Sequence, residues 1–174
     1  NAQTLLGTGE KGTDKLVGNC IFKQDDITLY CDSALLHQQT NSVDAFGHVH
    51  MSQHDTLHLY GDVLHYDGNS KQAVIEQNVS MVDRSTKLVT QRLFYDANTD
   101  IASYLDSAHI TDKENILTSR KGYYHTHKKQ IFFKEKVVLT NPQYVMRSDT
   151  LMYHTLSKTS HFFGPTTITS KEDY

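Results

Sequence analysis

The sequence predicts an all-β protein that is built from a repeated antiparallel unit and contains almost no helix. Three observations support this fold class: a motif that recurs about every 29 residues, an alternation of apolar and polar side chains, and turn-forming residues between the alternating segments. A repeat of this length is one supersecondary unit, and such units bury their apolar faces by stacking on one another. We therefore expect two sheets, folded face to face and lined by one set of apolar side chains from every unit.

Two independent series of positions mark the repeat. The first, with successive gaps of 29, 30, 29, 29 and 29 residues, consists of Cys20, Val49, Val79, Ala108, Val137 and Thr166. The second, with gaps of 30, 29, 29 and 29 residues, consists of Leu36, Tyr66, Tyr95, Tyr124 and Tyr153. We assign residues 1–15 to an N-terminal lead-in and residues 16–174 to a single domain of about five 29-residue units plus a closing strand.

Each unit has the side-chain pattern of β-strands. Val49 and Met51 alternate with polar neighbours, and Leu57 and Leu59 flank His58. A period of two places one face of a strand against a core and the other face in water. Segments rich in Asp, Asn and Gly separate the strands, and these residues favour tight turns.

The equivalent apolar positions of successive units form the predicted interior. They include few large aromatic side chains, so the pattern is compatible both with a packed core and with a groove that admits an apolar guest. The predicted interior positions are Phe22, Ile27, Leu29, Val49, Met51, Leu57, Leu59, Val79, Met81, Leu88, Ile110, Leu117, Val137, Leu139, Met146 and Ile168.

Composition and charge argue against several classes of protein. The 174 residues include 17 Lys and Arg against 20 Asp and Glu, for a net charge of −3, with both signs spread along the chain. Without a basic stripe, nucleic acid is not an expected partner. No apolar stretch approaches the roughly 20 residues that a membrane-spanning helix needs.

Candidate chemical groups have structural interpretations here. Eleven histidines invite a metal site, but no glutamate follows the His48 and His50 pair at a suitable distance, so we predict solvated histidines, no metal and no cofactor. One repeat position is occupied by an aspartate in three units, at Asp32, Asp62 and Asp149, which indicates a structural role at a solvated corner or turn. No phosphate loop or nucleophile elbow is present, and we predict no catalytic residue.

The cysteines and tyrosines leave alternatives open. Cys20 and Cys31 either form one disulfide across a hairpin or act as two small buried hydrophobic residues. The tyrosines that recur at the ends of the units are either cross-strand aromatic pairs at the sheet rim or a row that contacts a ligand.

The segment from Ala45 to Asp67 resembles the OstA-like, or LptA-like, domain family of lipopolysaccharide transport. The residues that carry this resemblance are Gly47, Val49, Leu57, Leu59, Gly61, Asp62, Leu64, Tyr66 and Asp67. A weaker likeness extends over about residues 16 to 170. Repeats three and four depart from the pattern, with Gln77 and Asp106 in place of the glycine, which leaves the subfamily open.

The resemblance implies a twisted, taco-shaped antiparallel β jelly roll in the periplasm of a Gram-negative bacterium, either free or associated with the outer membrane. The chain begins at Asn1 without a methionine, so we expect that an export signal has been removed. Proteins of this kind are not enzymes, and the interior positions would bind the acyl chains of lipid A. The implied partners are lipopolysaccharide and, end to end, a second copy or another Lpt-type β domain.

Two other functions remain open from the residues alone. One is a structural β-repeat scaffold, or a polymerising protein, with a dry packed interior. The other is a carbohydrate-active solenoid enzyme, which would need charged residues clustered in an external cleft.

Overall fold

The computed structural model describes residues 12–54 and 56–171, together with the backbone of residues 4–7, and every regular element among them is a β-strand. The predicted all-β class is therefore confirmed. The strands are β1 (Thr4–Gly7), β2 (Thr13–Gln24), β3 (Ile27–His37), β4 (Ser42–Gln53), β5 (Leu57–Asp67), β6 (Gln72–Asp83), β7 (Thr86–Asp96), β8 (Ile101–Tyr104), β9 (Ala108–Asp112), β10 (Asn115–Ser119), β11 (Lys121–His125), β12 (Gln130–Thr140), β13 (Tyr144–His154), β14 (Thr159–Phe163) and β15 (Thr167–Ser170).

Successive antiparallel hairpins join these strands into one continuous sheet. From β1 to β7 each strand pairs with the next one along the chain. Beyond β7 the sheet divides, because β8 and β9 both pair with β7 and together take the place of one long strand. In the same way β10 and β11 both pair with β12, and β14 and β15 both pair with β13.

A bend runs across the middle of the long strands. The pairing register shifts there, for example between Phe46 and Val49, where Gly47 and His48 have φ angles of 74° and 42°. The next repeat bends at Gln77 and Asn78, with φ angles of 65° and 53°, although it lacks the glycine. A left-handed conformation is costly for residues other than glycine, so the bend is maintained at a local cost of about 1–2 kcal/mol per residue.

The bend divides the sheet into two halves that face each other. The A half consists of the strand segments 13–17, 33–37, 42–46, 63–67, 72–76, 92–96, 101–104, 121–125, 130–134, 150–154 and 159–163. The B half consists of the segments 20–24, 27–31, 49–53, 57–61, 79–83, 86–90, 108–112, 115–119, 137–140, 144–148 and 167–170.

The core lies between the A and B halves and contains most of the predicted interior positions. Phe22 and Met146 are partly buried and pack against this core. Thirteen further predicted positions are no more than 5% exposed: Ile27, Leu29, Val49, Met51, Leu57, Leu59, Val79, Met81, Leu88, Ile110, Leu117, Val137 and Leu139.

The burial predicted for Ile168 is wrong, because this side chain is 63% exposed. Ile168 pairs with Met146 and therefore lies on the inner face of the sheet. It belongs to β15, which pairs only with β13 among the described strands and ends the stack. None of the described strands lies beyond β15 to cover it.

The segment assigned as a lead-in also enters the sheet. β1 pairs with the first part of β2, with Thr4 opposite Val17, and β2 itself begins at Thr13. Among the described residues, no helix is long and apolar enough to cross a membrane.

Candidate functional site: an apolar interior closed by a side-chain seam

The interior is a continuous apolar layer that extends through the stacked units. Its central side chains are fully buried, whereas those at each end are only partly covered, including Leu36 near the N-terminal end and Phe162 near the C-terminal end. Such a layer can bind apolar groups from water, since each buried methylene contributes about 0.8 kcal/mol. Its geometry therefore depends on how the two halves are held together.

The edge opposite the bend, where the A half meets the B half, is closed by side chains, and we call this edge the seam. Three tyrosines of the A half donate hydrogen bonds across it to residues that end strands of the B half 41 or 42 positions earlier. Tyr66 occupies the equivalent place one repeat before Tyr95. We number these four positions rungs 1 to 4; the tyrosines are Tyr66, Tyr95, Tyr124 and Tyr153.

Rungs 3 and 4 are charged and buried. Tyr124 donates to Asp83 at 2.6 Å, and the Lys129 ammonium approaches the same oxygen at 2.5 Å. Rung 4 repeats this arrangement, because Tyr153 and Lys158 both donate to one oxygen of Asp112, at 2.7 and 2.5 Å. Hydrogen bonds to buried carboxylates are roughly twice as strong as neutral ones, so these rungs hold the C-terminal part of the seam tightly.

Rung 2 is neutral, because the Tyr95 hydroxyl donates to the amide oxygen of Gln53. Rung 1 is open: the Tyr66 hydroxyl is buried and has no hydrogen-bond partner among the described residues. Gln24, which ends β2 as Gln53 ends β4, donates instead to the carbonyl of Gly68 at 3.1 Å. The seam therefore weakens from its C-terminal to its N-terminal end.

Burial also fixes the protonation of these tyrosines. Desolvation raises the pKa of Tyr95, Tyr124 and Tyr153 well above the ordinary value for a phenol. It also raises the pKa of Tyr66, with smaller contributions from nearby carboxylates. All four hydroxyls are therefore protonated donors at neutral pH.

A small cavity opens between the two halves at the N-terminal end, beside rung 1, and we call it the mouth. It has a volume of about 160 Å³ and is lined by inner residues of both halves, among them Phe22, Leu29, Val43, Met51 and Tyr66. An engineered apolar cavity of about 150 Å³ admits benzene, so the mouth can hold a short apolar segment.

The histidines lie on the outer face, as expected from the sequence. His48 is exposed at the bend, where its ring bonds to Asp32 at 2.7 Å, and this bond raises the pKa of the imidazole. The His50 ring is stacked between Tyr30 and Tyr60. Within residues 12–54 and 56–171, no three His, Cys, Asp or Glu side chains form a group that could hold a metal ion.

Two of the three recurrent aspartates contact residues in the bend. Asp32 bonds to His48, and Asp62 accepts a hydrogen bond from the Asn78 side chain at 2.6 Å, so each supports a residue in the left-handed conformation. The cysteines are two free, buried thiols that lie opposite each other on β2 and β3. Burial raises the pKa of Cys31 to about 12, which makes its thiol unreactive at neutral pH.

Comparisons with known proteins agree with this architecture. The family model described as OstA-like protein matches residues 5–149 of the chain. Among solved structures, the chain is similar to LptH, the LptA-homologous periplasmic component of the conserved lipopolysaccharide transport device from Pseudomonas aeruginosa. The TM-score is 0.58 at 12% identity, and the match covers 68% of this chain and 95% of that chain.

At 12% identity the likeness to LptH is evidence for the fold alone, and it confirms the predicted β jelly roll. A search of curated protein sequences finds no match.

Proposed function

This chain belongs to the OstA-like family, and on that premise we propose that it carries lipopolysaccharide through the periplasm of a Gram-negative bacterium, holding the acyl chains of lipid A between the A and B halves. The observation that carries the proposal is an apolar interior whose long edge is closed by side-chain hydrogen bonds, with no backbone pairing across it among the described residues. The fold shared with the lipopolysaccharide transport component LptH supports it. The proposed role is non-enzymatic.

Opening the seam has a modest free-energy cost compared with the gain from burying an acyl chain. Each neutral hydrogen bond contributes about 0.5–1.5 kcal/mol net, and bonds to charged groups contribute about 1.5–3 kcal/mol. An acyl chain of about ten methylenes gains roughly 8 kcal/mol on leaving water. One chain can therefore offset the loss of the weaker rungs while the interior side chains exchange one apolar neighbour for another.

The graded seam supports a position for the guest in the N-terminal part of the interior. Rungs 1 and 2 lack a buried carboxylate, because the Lys71–Asp25 pair beside rung 1 is exposed to water, so we expect the halves to separate there first. Of the predicted interior positions, Val49, Met51, Leu57 and Leu59 then make the principal contacts with the acyl chains. The positions beyond rung 3 remain packed against one another.

Photo-methionine incorporation provides a direct test, because the four methionines sample different surroundings. Met51 and Met81 are buried in the interior, whereas Met152 lies on the outer face, opposite Phe132. After irradiation with purified lipopolysaccharide, we expect adducts at Met51 and fewer at Met81. Met152 is the internal control and should remain unmodified.

A matched pair of substitutions on one strand provides a second readout. Leu59→Asp places a charge in the interior, and His58→Asp places the same charge on the outer face of β5. We expect loss of lipopolysaccharide binding only for Leu59→Asp, with circular dichroism confirming that both variants retain a β spectrum. Equal binding by both folded variants would exclude an interior site.

The alternative function, a structural β-repeat scaffold, is favoured by the thirteen interior positions that are no more than 5% exposed. Under this alternative the interior is a permanent dry core. Adducts confined to Met152, or no adducts at any methionine, would support the scaffold over the carrier.

We also propose that the molecule stacks end to end with a second copy or a related β domain. β14 and β15 pair only with β13 among the described strands, so each presents a strand edge that can pair with another chain. Light scattering should show a mass that increases with protein concentration. A constant monomer mass at high concentration would contradict this proposal.

A further inference from the structure

The open first rung has the features of a recognition site. The Tyr66 hydroxyl is buried in a side chain only 7% exposed, it lacks a partner among the described residues, and it borders the mouth. The equivalent hydroxyls of Tyr95, Tyr124 and Tyr153 all have acceptors. The other buried polar atom without a partner among the described residues is the second oxygen of Asp83, whose first oxygen already accepts from Tyr124 and Lys129. A buried donor without any acceptor is destabilising, so the retention of the Tyr66 hydroxyl beside a cavity calls for a ligand.

We infer that Tyr66 recognises the head of the guest: its hydroxyl donates a hydrogen bond to the carbonyl oxygen of an acyl chain whose tail enters the mouth. This inference rests on the proposed function, because it requires that the interior accepts acyl chains. Beyond the proposed function, it specifies where the acyl chain enters, which end of the acyl chain enters first, and which polar group the protein selects. An amide-linked or ester-linked acyl chain fits, whereas an alkyl chain without a carbonyl does not.

The chemistry of the mouth agrees with this assignment. Its lining includes Phe22, Leu29, Val43 and Met51, which suit an apolar tail, and Tyr66 supplies a neutral donor that suits a neutral acceptor. Gln24 does not accept from Tyr66 in this structure, and its amide nitrogen donates to the carbonyl of Gly68 instead. A carbonyl oxygen satisfies the hydroxyl without placing a charge in the apolar interior.

The volume of the mouth indicates how an acyl chain enters the interior. A cavity of about 160 Å³ holds only a short part of an acyl chain, so the rest must displace side chains deeper in the interior. Rung 2 is the first barrier in that direction, and it is the neutral bond between Tyr95 and Gln53. An acyl chain that entered from the C-terminal end would first have to separate rungs 4 and 3, each of which contains a buried aspartate and a lysine.

Two matched probes test the assignment on the full chain: N-dodecanoyl-D-glucosamine, which has an amide carbonyl, and dodecyl β-D-glucoside, which has none. Affinities are measured by isothermal titration calorimetry below the micelle concentrations, for the wild type, Tyr66→Phe and Tyr153→Phe. We expect Tyr66→Phe to weaken binding of the amide probe about 5- to 10-fold, the loss of one hydrogen bond. The glucoside should change less than twofold, and Tyr153→Phe should change neither.

Each result has a distinct meaning. If the wild type binds both probes and Tyr66→Phe leaves both affinities unchanged, the role of Tyr66 is refuted while the carrier function stands. If the wild type binds neither probe, the carrier function fails and the inference fails with it. If Tyr66→Phe alters the sedimentation coefficient in the absence of probe, the occupant of the mouth is a second copy, and the inference is overturned.

Discussion

The two ends of the seam are built on the same repeat and yet are closed by different chemistry. At the C-terminal end, a tyrosine, an aspartate and a lysine meet at both rung 3 and rung 4. At the N-terminal end, rung 2 has a glutamine in place of the aspartate. At rung 1 the tyrosine hydroxyl has no partner among the described residues, and the Lys71–Asp25 pair is exposed. The difference teaches that a uniform β scaffold can have a graded closure when one or two side chains change in each unit.

Removing the carboxylate of rung 3 should have the largest effect. In Asp83→Ala, the Lys129 ammonium and the Tyr124 hydroxyl both lose their acceptor, so the free energy of unfolding should fall by roughly 3–5 kcal/mol. Gln53→Ala, at the neutral rung, should lose only about 1–3 kcal/mol. Thermal and urea unfolding followed by circular dichroism measure both. Equal losses would contradict a graded seam.

Alkaline conditions should weaken the closed part of the molecule. Burial raises the pKa of Tyr104 to about 12, and its hydroxyl shares a 2.6 Å hydrogen bond with Ser119 across the interior. A raised phenol pKa stabilises the fold at pH values below about 10, and this contribution is lost as the pH rises towards the folded-state pKa. We expect a loss of about 2 kcal/mol from Tyr104 by pH 12, measured by urea unfolding.

The variant Tyr104→Phe is the control for the alkaline experiment. It should show a shallower decline of stability above pH 10 than the wild type does. An identical decline in both proteins would mean that other groups control the alkaline transition.

Deleting single hydroxyls compares the two ends of the seam directly. Tyr124→Phe leaves the buried Asp83 carboxylate with one donor fewer and should cost about 1–3 kcal/mol of unfolding free energy. Tyr66→Phe removes a donor that has no acceptor among the described residues, so its stability should be unchanged or slightly higher. Differential scanning calorimetry distinguishes these outcomes. A matching destabilisation in Tyr66→Phe would show that rung 1 is closed in solution.

The smallest expected difference concerns two of the three lysines that occupy one repeat position. Lys158→Met removes a donor from the buried Asp112 carboxylate, which retains Tyr153 and Ser85, and should cost about 1 kcal/mol. Lys71→Met breaks an exposed pair with Asp25, and screening by water makes such pairs weak. The Lys71→Met midpoint should therefore stay close to that of the wild type in thermal unfolding.

The repeat, the strands and most inward positions could be predicted from the sequence because they depend on local periodicity. Val49 and Leu59 are inward because they alternate with polar neighbours, and that alternation holds wherever the strand is placed. Ile168 has the same local pattern, but its burial requires a further unit beyond it. Coverage by a neighbouring unit is not encoded within the strand itself.

The seam could not be predicted from local periodicity, because its residues are far apart in the sequence. Tyr124 and Asp83 are 41 residues apart and meet only because the bend folds one half of the sheet over the other. Asp83 follows a strand and precedes Arg84 and Ser85, so it has the local signature of a turn residue. The signal that could have revealed the seam is the constant offset between each recurring tyrosine and the acid or amide that ends a strand 41 or 42 residues earlier.

The bend has a consequence for how the length of such a protein can vary. Every hairpin contains its own part of the bend. A 29-residue insertion or deletion therefore adds or removes two adjacent strands and leaves the bend aligned between the remaining strands. Strands are spaced about 4.8 Å apart, so one such step changes the body by roughly 10 Å. A shift of a single residue instead exchanges the two faces of a strand. Homologues that span different distances should therefore differ by whole numbers of units.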